Sequence, residues 1–157
     1  MKITIIVVGK TDTGYLTEGV AEYIKRISRY LPIEVKVIPY QKRTRNLPVE
    51  QQIAKEGETI IAALNPIALA VTLDERGKEF TSINFAQWLE RNMISGVKEV
   101  AFIIGGAYGI SEAVKSKSQQ SLSLSKFTFS HQLIRLIFAE QLYRALTIIK
   151  GEPYHHE

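Results

Sequence analysis

The sequence predicts an α/β domain: a mainly parallel sheet with helices on both faces. Three observations carry this. Short apolar runs rich in β-branched residues recur along the chain, stretches with helical spacing separate them, and Pro, Gly or a capping residue marks most of the junctions. With 157 residues, the chain fits a single domain over 1–157, long enough to bury roughly 68–70% of its unfolded surface.

The first run, KITIIVV (2–8), reads as a buried strand. Residues 14–30 place Leu16, Val20, Tyr23, Ile24 and Ile27 at helical spacing, and Pro32 stops that helix. IEVKVI (33–38) alternates as a second strand and ends at Pro39, followed by a basic loop over 40–47. Pro48 suits the first position of a helix reaching about Leu64, with Asn65-Pro66 as its stop. IALAVTL (67–73) is a third buried strand. Ser82 reads as the N-cap of a helix to about Ser95, with Gly96 at its C′ position. EVAFII (99–104) is the fourth strand and runs into Gly105-Gly106. Ser111 caps a short helix over 112–118, LSLSKF (122–127) reads as a fifth strand, and a long helix runs from about His131 to Lys150. Ligands on such sheets sit at the carboxyl ends of the strands. That singles out Leu73 to Gly77, Gly105 to Gly109 and Lys126 to His131.

Hydrophobic residues make up 45% and charged residues 23%, which excludes a disordered or collagen-like chain. Cysteine is absent, so disulfides, thiolate chemistry, Cys-ligated zinc and Fe–S clusters are excluded. No metal site is expected. No apolar run approaches a membrane span, and the N-terminal run is too short for a signal-peptide core. The expectation is a soluble cytoplasmic protein with no membrane partner.

The net charge of +4 is unevenly spread. Residues 23–45 carry Lys25, Arg26, Arg29, Lys36, Lys42, Arg43 and Arg45 against Glu34 alone, a net +6; residues 111–150 carry +4, and the remainder −6. Two basic segments against an acidic remainder suit a polyanion, and Tyr23, Tyr30 and Tyr40 interleave the first. A solvated helix face and loop would read the same way.

FIIGGAYG (102–109) is a strand running into a glycine turn, where backbone can approach a ligand closely. Its spacing is neither a dinucleotide fingerprint nor a P-loop, so the alternatives are a tight turn and a cofactor cradle of another kind. The last helix is apolar on several faces through Leu133, Ile134, Leu136, Ile137, Phe138, Leu142, Leu146 and Ile149. Such a helix is buried against more than one surface, either a subunit interface or a central core. Arg135, Gln141 and Arg144 read as one polar stripe, pairing with carboxylates or facing a phosphate. His131 reads as a capping or packing residue. The adjacent His155 and His156 point oppositely on an extended tail and make a poor metal pair; two terminal histidines also look like a tag remnant.

Taken together, KITIIVVGK, VTLDERGK, FIIGGAYG, LSLSKFTFSHQLIRLIFAEQLYRA and the tail GEPYHHE resemble the RlmH-type proteins, SPOUT-superfamily methyltransferases of large-subunit ribosomal RNA. The resemblance covers essentially the whole chain and makes Tyr154-His155 part of the family's own ending rather than a tag. The family often continues with Arg or Lys, where this chain has His156. The resemblance implies a deep C-terminal trefoil knot, a homodimer, and S-adenosylmethionine-dependent methylation of N3 of a pseudouridine in the helix 69 loop of 23S rRNA, in the large subunit or the assembled ribosome. It places cofactor contacts at Leu73, Gly105, Leu124, Ser125, Lys126, Phe127, Thr128 and Phe129. The target nitrogen must lose a proton before it attacks; His155 is the candidate base, with bulk water as the alternative acceptor. Tyr154 is placed to stack on or hydrogen-bond the target base, and Arg144 to stabilise the anionic ring or grip a phosphate. Lys25, Arg26, Arg29, Lys42, Arg43 and Arg45 are the expected RNA-backbone contacts. The rivals are a non-catalytic ribosome-associated RNA-binding protein and an α/β oxidoreductase with an atypical nucleotide site; neither should bind adenosylmethionine.

Overall fold

The structure is a computed structural model that describes residues 1–40 and 46–156. Five parallel strands form one sheet in the order β2-β1-β4-β3-β5. They are β1 (Lys2–Val8), β2 (Ile33–Ile38), β3 (Leu69–Glu79), β4 (Glu99–Ile104) and β5 (Gln120–Ser123). The helices are α1 (Tyr15–Ile27), α2 (Val49–Ala63), α3 (Ser82–Ile94), α4 (Glu112–Lys117) and α5 (Leu133–Lys150).

Period-two alternation divides the core into two layers. Ile3, Ile5 and Val7 of β1, Val71 of β3, and Val100, Phe102 and Ile104 of β4 face one side, where they pack with Ile27 of α1, Phe85 and Leu89 of α3, and Phe138 and Leu142 of α5. Ile6, Val8, Ala70, Ala101 and Ile103 face the other side, against Ile60 of α2 and Val114 of α4. Helices therefore cover both faces, as expected from the uninterrupted apolar runs. The central strands β1 and β4 match their expected ranges, and so does β2.

The differences lie at element ends. Pro48 precedes α2 instead of opening it, and Thr81, not Ser82, caps α3 by accepting a hydrogen bond from the Asn84 amide at 3.1 Å. Ser111 caps α4 as expected, through the Val114 amide at 3.3 Å. β3 starts two residues late and continues through the charged segment DERGKE. Its pairing with β5 skips from Leu73 to Lys78, both opposite Leu122, so residues between them bulge out. Gly77 permits this: a Cβ there would sit 2.7 Å from the Leu122 backbone. β5 is shorter than LSLSKF suggests. Past Ser123 the serines bond locally, Ser123 Oγ to the Ser125 carbonyl at 3.1 Å and Ser125 Oγ from the Phe127 amide at 3.0 Å, which takes the chain out of the sheet.

The apolar circumference of α5 is used inside the chain. The helix lies on the sheet between α1 and α3, and Phe138 is fully buried with its ring centroid 4.7 Å from that of Phe102. The all-round apolar pattern thus marks a central core helix and does not by itself call for a partner. The expected polar stripe also splits. Nine residues apart, Arg135 and Arg144 point about half a turn from each other. Arg135 is buried and donates to the carbonyls of Val8 (2.6 Å), Gly9 (3.0 Å) and His131 (3.1 Å) and to Thr11 Oγ1 (3.2 Å). It pins the end of β1 to the start of α5.

Candidate active site

The ends of β3, β4 and β5 enclose a cavity of about 340 Å³, within the size range of small-molecule sites. Three loops wall it. The first is the glycine turn after β4, closed by a hydrogen bond from the Gly109 amide to the Gly106 carbonyl at 3.1 Å. Gly109 has φ +89°, and a Cβ on Gly105 would lie 2.5 Å from the Gly109 carbonyl oxygen. Glycine is needed at 105 because the turn folds back on it. The second wall is the segment 124–129 shaped by Ser123 and Ser125. The third is the β3 bulge, where the Arg76 amide donates to Asp74 Oδ1 at 2.9 Å and Thr128 Oγ1 reaches across to Glu75 Oε2 at 3.4 Å.

Of the cofactor residues marked in the sequence, Leu73, Gly105, Leu124, Ser125, Phe127, Thr128 and Phe129 line this cavity, while Lys126 is exposed outside the lining. Asp74, Glu75, Tyr108 and His131 also line it and fall within the three strand-end stretches marked in the sequence, though none carries a cofactor role there; Ile110 and Ile134 fall outside those stretches. The acids carry much of its character. Lys115, 2.8 Å from Asp74, holds that carboxyl below the usual carboxylate range. No Lys or Arg is among the described lining residues. A pyrophosphate would meet carboxylates here; a ligand bearing positive charge, such as a sulfonium with an ammonium group, fits the donor set. His131, at the wall, is pushed below the usual histidine range by burial and by Arg135, and its Nε2 lies 3.1 Å from the Tyr40 hydroxyl.

The remaining chemical residues gather elsewhere. Gly151, at φ +68°, caps α5, and the Glu152 amide bonds back to the Thr147 carbonyl at 2.9 Å. This reversal folds the tail against α5 and α1. The Tyr154 hydroxyl lies 3.2 Å from Glu140 Oε1 and 3.3 Å from the Tyr23 hydroxyl, and its ring packs edge-on against Tyr143. Burial, Tyr23 and Glu140 push the phenol well above its usual range, so it stays protonated. Tyr30 donates to Glu152 Oε2 at 2.5 Å, and this carboxylate contact raises its phenol likewise. Arg144 donates to Glu140 Oε1 through Nε (3.1 Å) and Nη2 (2.5 Å), lies over the Tyr154 ring at 4.9 Å, and sets Nη1 3.3 Å from His155 Nδ1.

The cluster adjoins the basic helix α1. Arg26 pairs with Glu22 at 2.8 Å and lies over Tyr23 and Tyr143, while Lys25 and Arg29 are exposed. Lys42, Arg43 and Arg45 lie outside the described residues. The two assemblies stand apart: the cavity reaches Ile134 near the start of α5, and Arg144 is ten residues further on. Helical rise puts about 15 Å between them along the axis.

Comparison with known proteins bears on this arrangement. A family profile described as "Predicted SPOUT methyltransferase" matches residues 1–155. Two proteins named "Ribosomal RNA large subunit methyltransferase H" align over the full length of both chains, that of Parabacteroides distasonis at 54% identity and that of Phocaeicola vulgatus at 50%. A crystal structure of a probable methyltransferase from Bordetella pertussis superposes with a TM-score of 0.58 at 14% identity, covering 92% of this chain and 96% of that one. That likeness shows a shared fold.

Proposed function

The chain belongs to the SPOUT methyltransferase family, and from that premise we propose that it methylates ribosomal RNA of the large subunit with S-adenosylmethionine as donor. The target in this reading is N3 of a pseudouridine in the helix 69 loop of 23S rRNA. The observation that carries the proposal is the cavity at the strand ends, with carboxylates and backbone at its walls and no described Lys or Arg in its lining. The bound donor supplies an electrophilic methyl group on a cationic sulfur. Gly105, the 124–129 segment and the β3 bulge hold it; Glu75, and Asp74 beside its Lys115 partner, put carboxylate oxygens at the wall. Passage of the C-terminal third through a trefoil knot belongs to the same proposal.

The second half of the site is the cluster of Arg144, Tyr154 and His155 beside the exposed bases of α1. It suits an RNA loop, with Lys25 and Arg29 against phosphates and Tyr154 against the target base. Methyl transfer requires reacting atoms about 3–3.5 Å apart, and the two halves of one chain are too widely spaced for that. A two-fold homodimer that sets the tail of one protomer over the cavity of its partner satisfies both halves at once. The rival reading, a non-catalytic RNA-binding protein, leaves the strand-end cavity without a role.

The test is methyl incorporation from isotopically labelled adenosylmethionine into free 23S rRNA, large subunits and assembled ribosomes, with the modified nucleoside identified by mass spectrometry. Incorporation at a single pseudouridine is expected. Tight donor binding with no incorporation into any of the three substrates would overturn the assignment.

A further inference from the structure

We infer that His155 enters the reaction as a neutral hydrogen-bond donor, its proton fixed on Nε2 by Arg144, and not as the base that removes the imide proton. This rests on the reading above, in which the tail faces the target base.

The argument begins at the 3.3 Å contact between Arg144 Nη1 and His155 Nδ1. A guanidinium offers only N–H donors and remains charged at any working pH. It is attracted to a ring nitrogen that presents a lone pair and repelled by one that carries hydrogen. A neutral imidazole has one nitrogen of each kind, so an accepting Nδ1 places the hydrogen on Nε2. Arg144 is not free to turn and accommodate the other tautomer. Its Nε and Nη2 are both committed to Glu140 Oε1, and its plane lies over the Tyr154 ring. Glu140 is fixed in turn, with Oε1 also meeting the Tyr154 hydroxyl and Oε2 accepting from Gln141 at 2.7 Å.

The ring's lone pair is therefore spent on a cation. Taking up a proton would put an imidazolium beside that guanidinium and break the contact. Among the described residues, the other ionisable groups around the cluster are Glu140 and Tyr143 on α5, Tyr23 and Arg26 on α1, Tyr30 after it, and Glu152, Tyr154 and the exposed His156 in the tail. Glu140 is occupied, and the Tyr154 phenol is held protonated. With Nδ1 occupied by Arg144, the hydrogen on Nε2 is the one the ring has to offer.

The chemistry has a use for such a donor. The imide nitrogen releases its proton to water, and the negative charge spreads onto the flanking carbonyl oxygens. The nitrogen then forms its bond to the methyl carbon as the carbon–sulfur bond breaks, and that electron pair stays on sulfur. One proton reaches solvent per methyl transferred. A donor aimed at one of the carbonyl oxygens stabilises the charge that develops, and loss of one such donor typically costs about 10²–10³-fold in rate.

Two measurements test this. Long-range ¹H–¹⁵N correlation on the full-length ¹⁵N-labelled protein, with His155 assigned by the signals lost in His155→Gln, should show protonated Nε2 and bare Nδ1 for the neutral ring. A neutral ring protonated on Nδ1 overturns the inference whatever the substrate proves to be. In single-turnover methylation, His155→Gln keeps an N–H donor and should stay within about tenfold of wild type, while His155→Leu should fall by roughly 10²–10³-fold. Equal collapse of both variants, with donor affinity retained, overturns the donor role. A wild-type rate that levels off across pH 5–8, as a titrating histidine base produces, overturns it too. Wild-type protein inactive on every ribosomal substrate counts against the rRNA reading and leaves the tautomer measurement standing.

Discussion

Two inactive variants should restore activity to one another when they are produced together. The first, Ala107→Trp, puts a large ring on an exposed residue at the rim of the cavity and blocks donor binding with no loss of core. The second, deletion of residues 154–157, removes the tail after α5 and spares every cavity residue. The separation along α5 is about 15 Å, against the roughly 3–3.5 Å that displacement needs, so in the proposed dimer a productive site takes one half from each protomer. Free assortment makes half of the dimers mixed. In a mixed dimer one site joins an intact cavity to an intact tail, and the other joins two damaged halves. Activity per dimer should therefore recover to about a quarter of wild type under two-fold symmetry. The assay is methyl incorporation by doubly tagged, co-purified mixed dimers, for which the expected value is about half of wild type on the same symmetry. A site formed within one chain gives no recovery, because each chain carries one lesion. Mixed dimers no better than their parents would refute the composite site, and a clean monomer at micromolar concentration in light scattering would remove its premise.

Phe138→Ala should cost about 3–5 kcal/mol in denaturant unfolding, because the ring is fully buried against Phe102 and Phe85; Phe138→Glu should unfold the chain instead of releasing folded monomers, and a folded, monomeric glutamate variant in light scattering would contradict this. Gly105→Ala should lower both thermal stability and donor affinity, since its Cβ meets the Gly109 carbonyl at 2.5 Å; unchanged melting with lost affinity would show that the ligand, and not the turn, excludes the side chain. The Asp74–Lys115 pair, at 2.8 Å and half-shielded, should contribute up to about 1 kcal/mol. Its sign follows from a carboxyl held below its unfolded value by Lys115: the contribution is complete above about pH 4 and disappears as pH falls through the folded value. Lys115→Met should accordingly be less stable than wild type at neutral pH and approach it as the carboxyl protonates in acid, and a gap that does not narrow at all on acidification would refute the linkage.

What the sequence discloses about this molecule follows from which interactions are local. β1 and β4 are legible because both faces of each strand are apolar, and that pattern survives in the residues themselves. The continuation of β3 through DERGKE is not legible, because exposed charges there form a strand only by pairing with β5, some forty residues away, past a bulge that Gly77 allows. Asp74 and Glu75 fall in a stretch that the strand-end rule marks, but their place in a bulged strand is not legible from the residues. The opposite error occurs at Leu124–Phe127, where alternation suggests a strand but serine side chains bond locally and turn the chain away. The tail is harder still. Tyr23 and Tyr154 are 131 positions apart, and nothing in either residue's neighbourhood announces the meeting. Even so, the helical spacing of Ile134 and Arg144 already contains their separation along α5. What the structure adds is that the cavity ends at Ile134 and that Gly151 turns the tail back onto Arg144. A tail that continued straight from α5 would leave Arg144 beside Glu140 alone. Folded back, it brings His155 to the guanidinium, and the tautomer of the histidine follows from that contact.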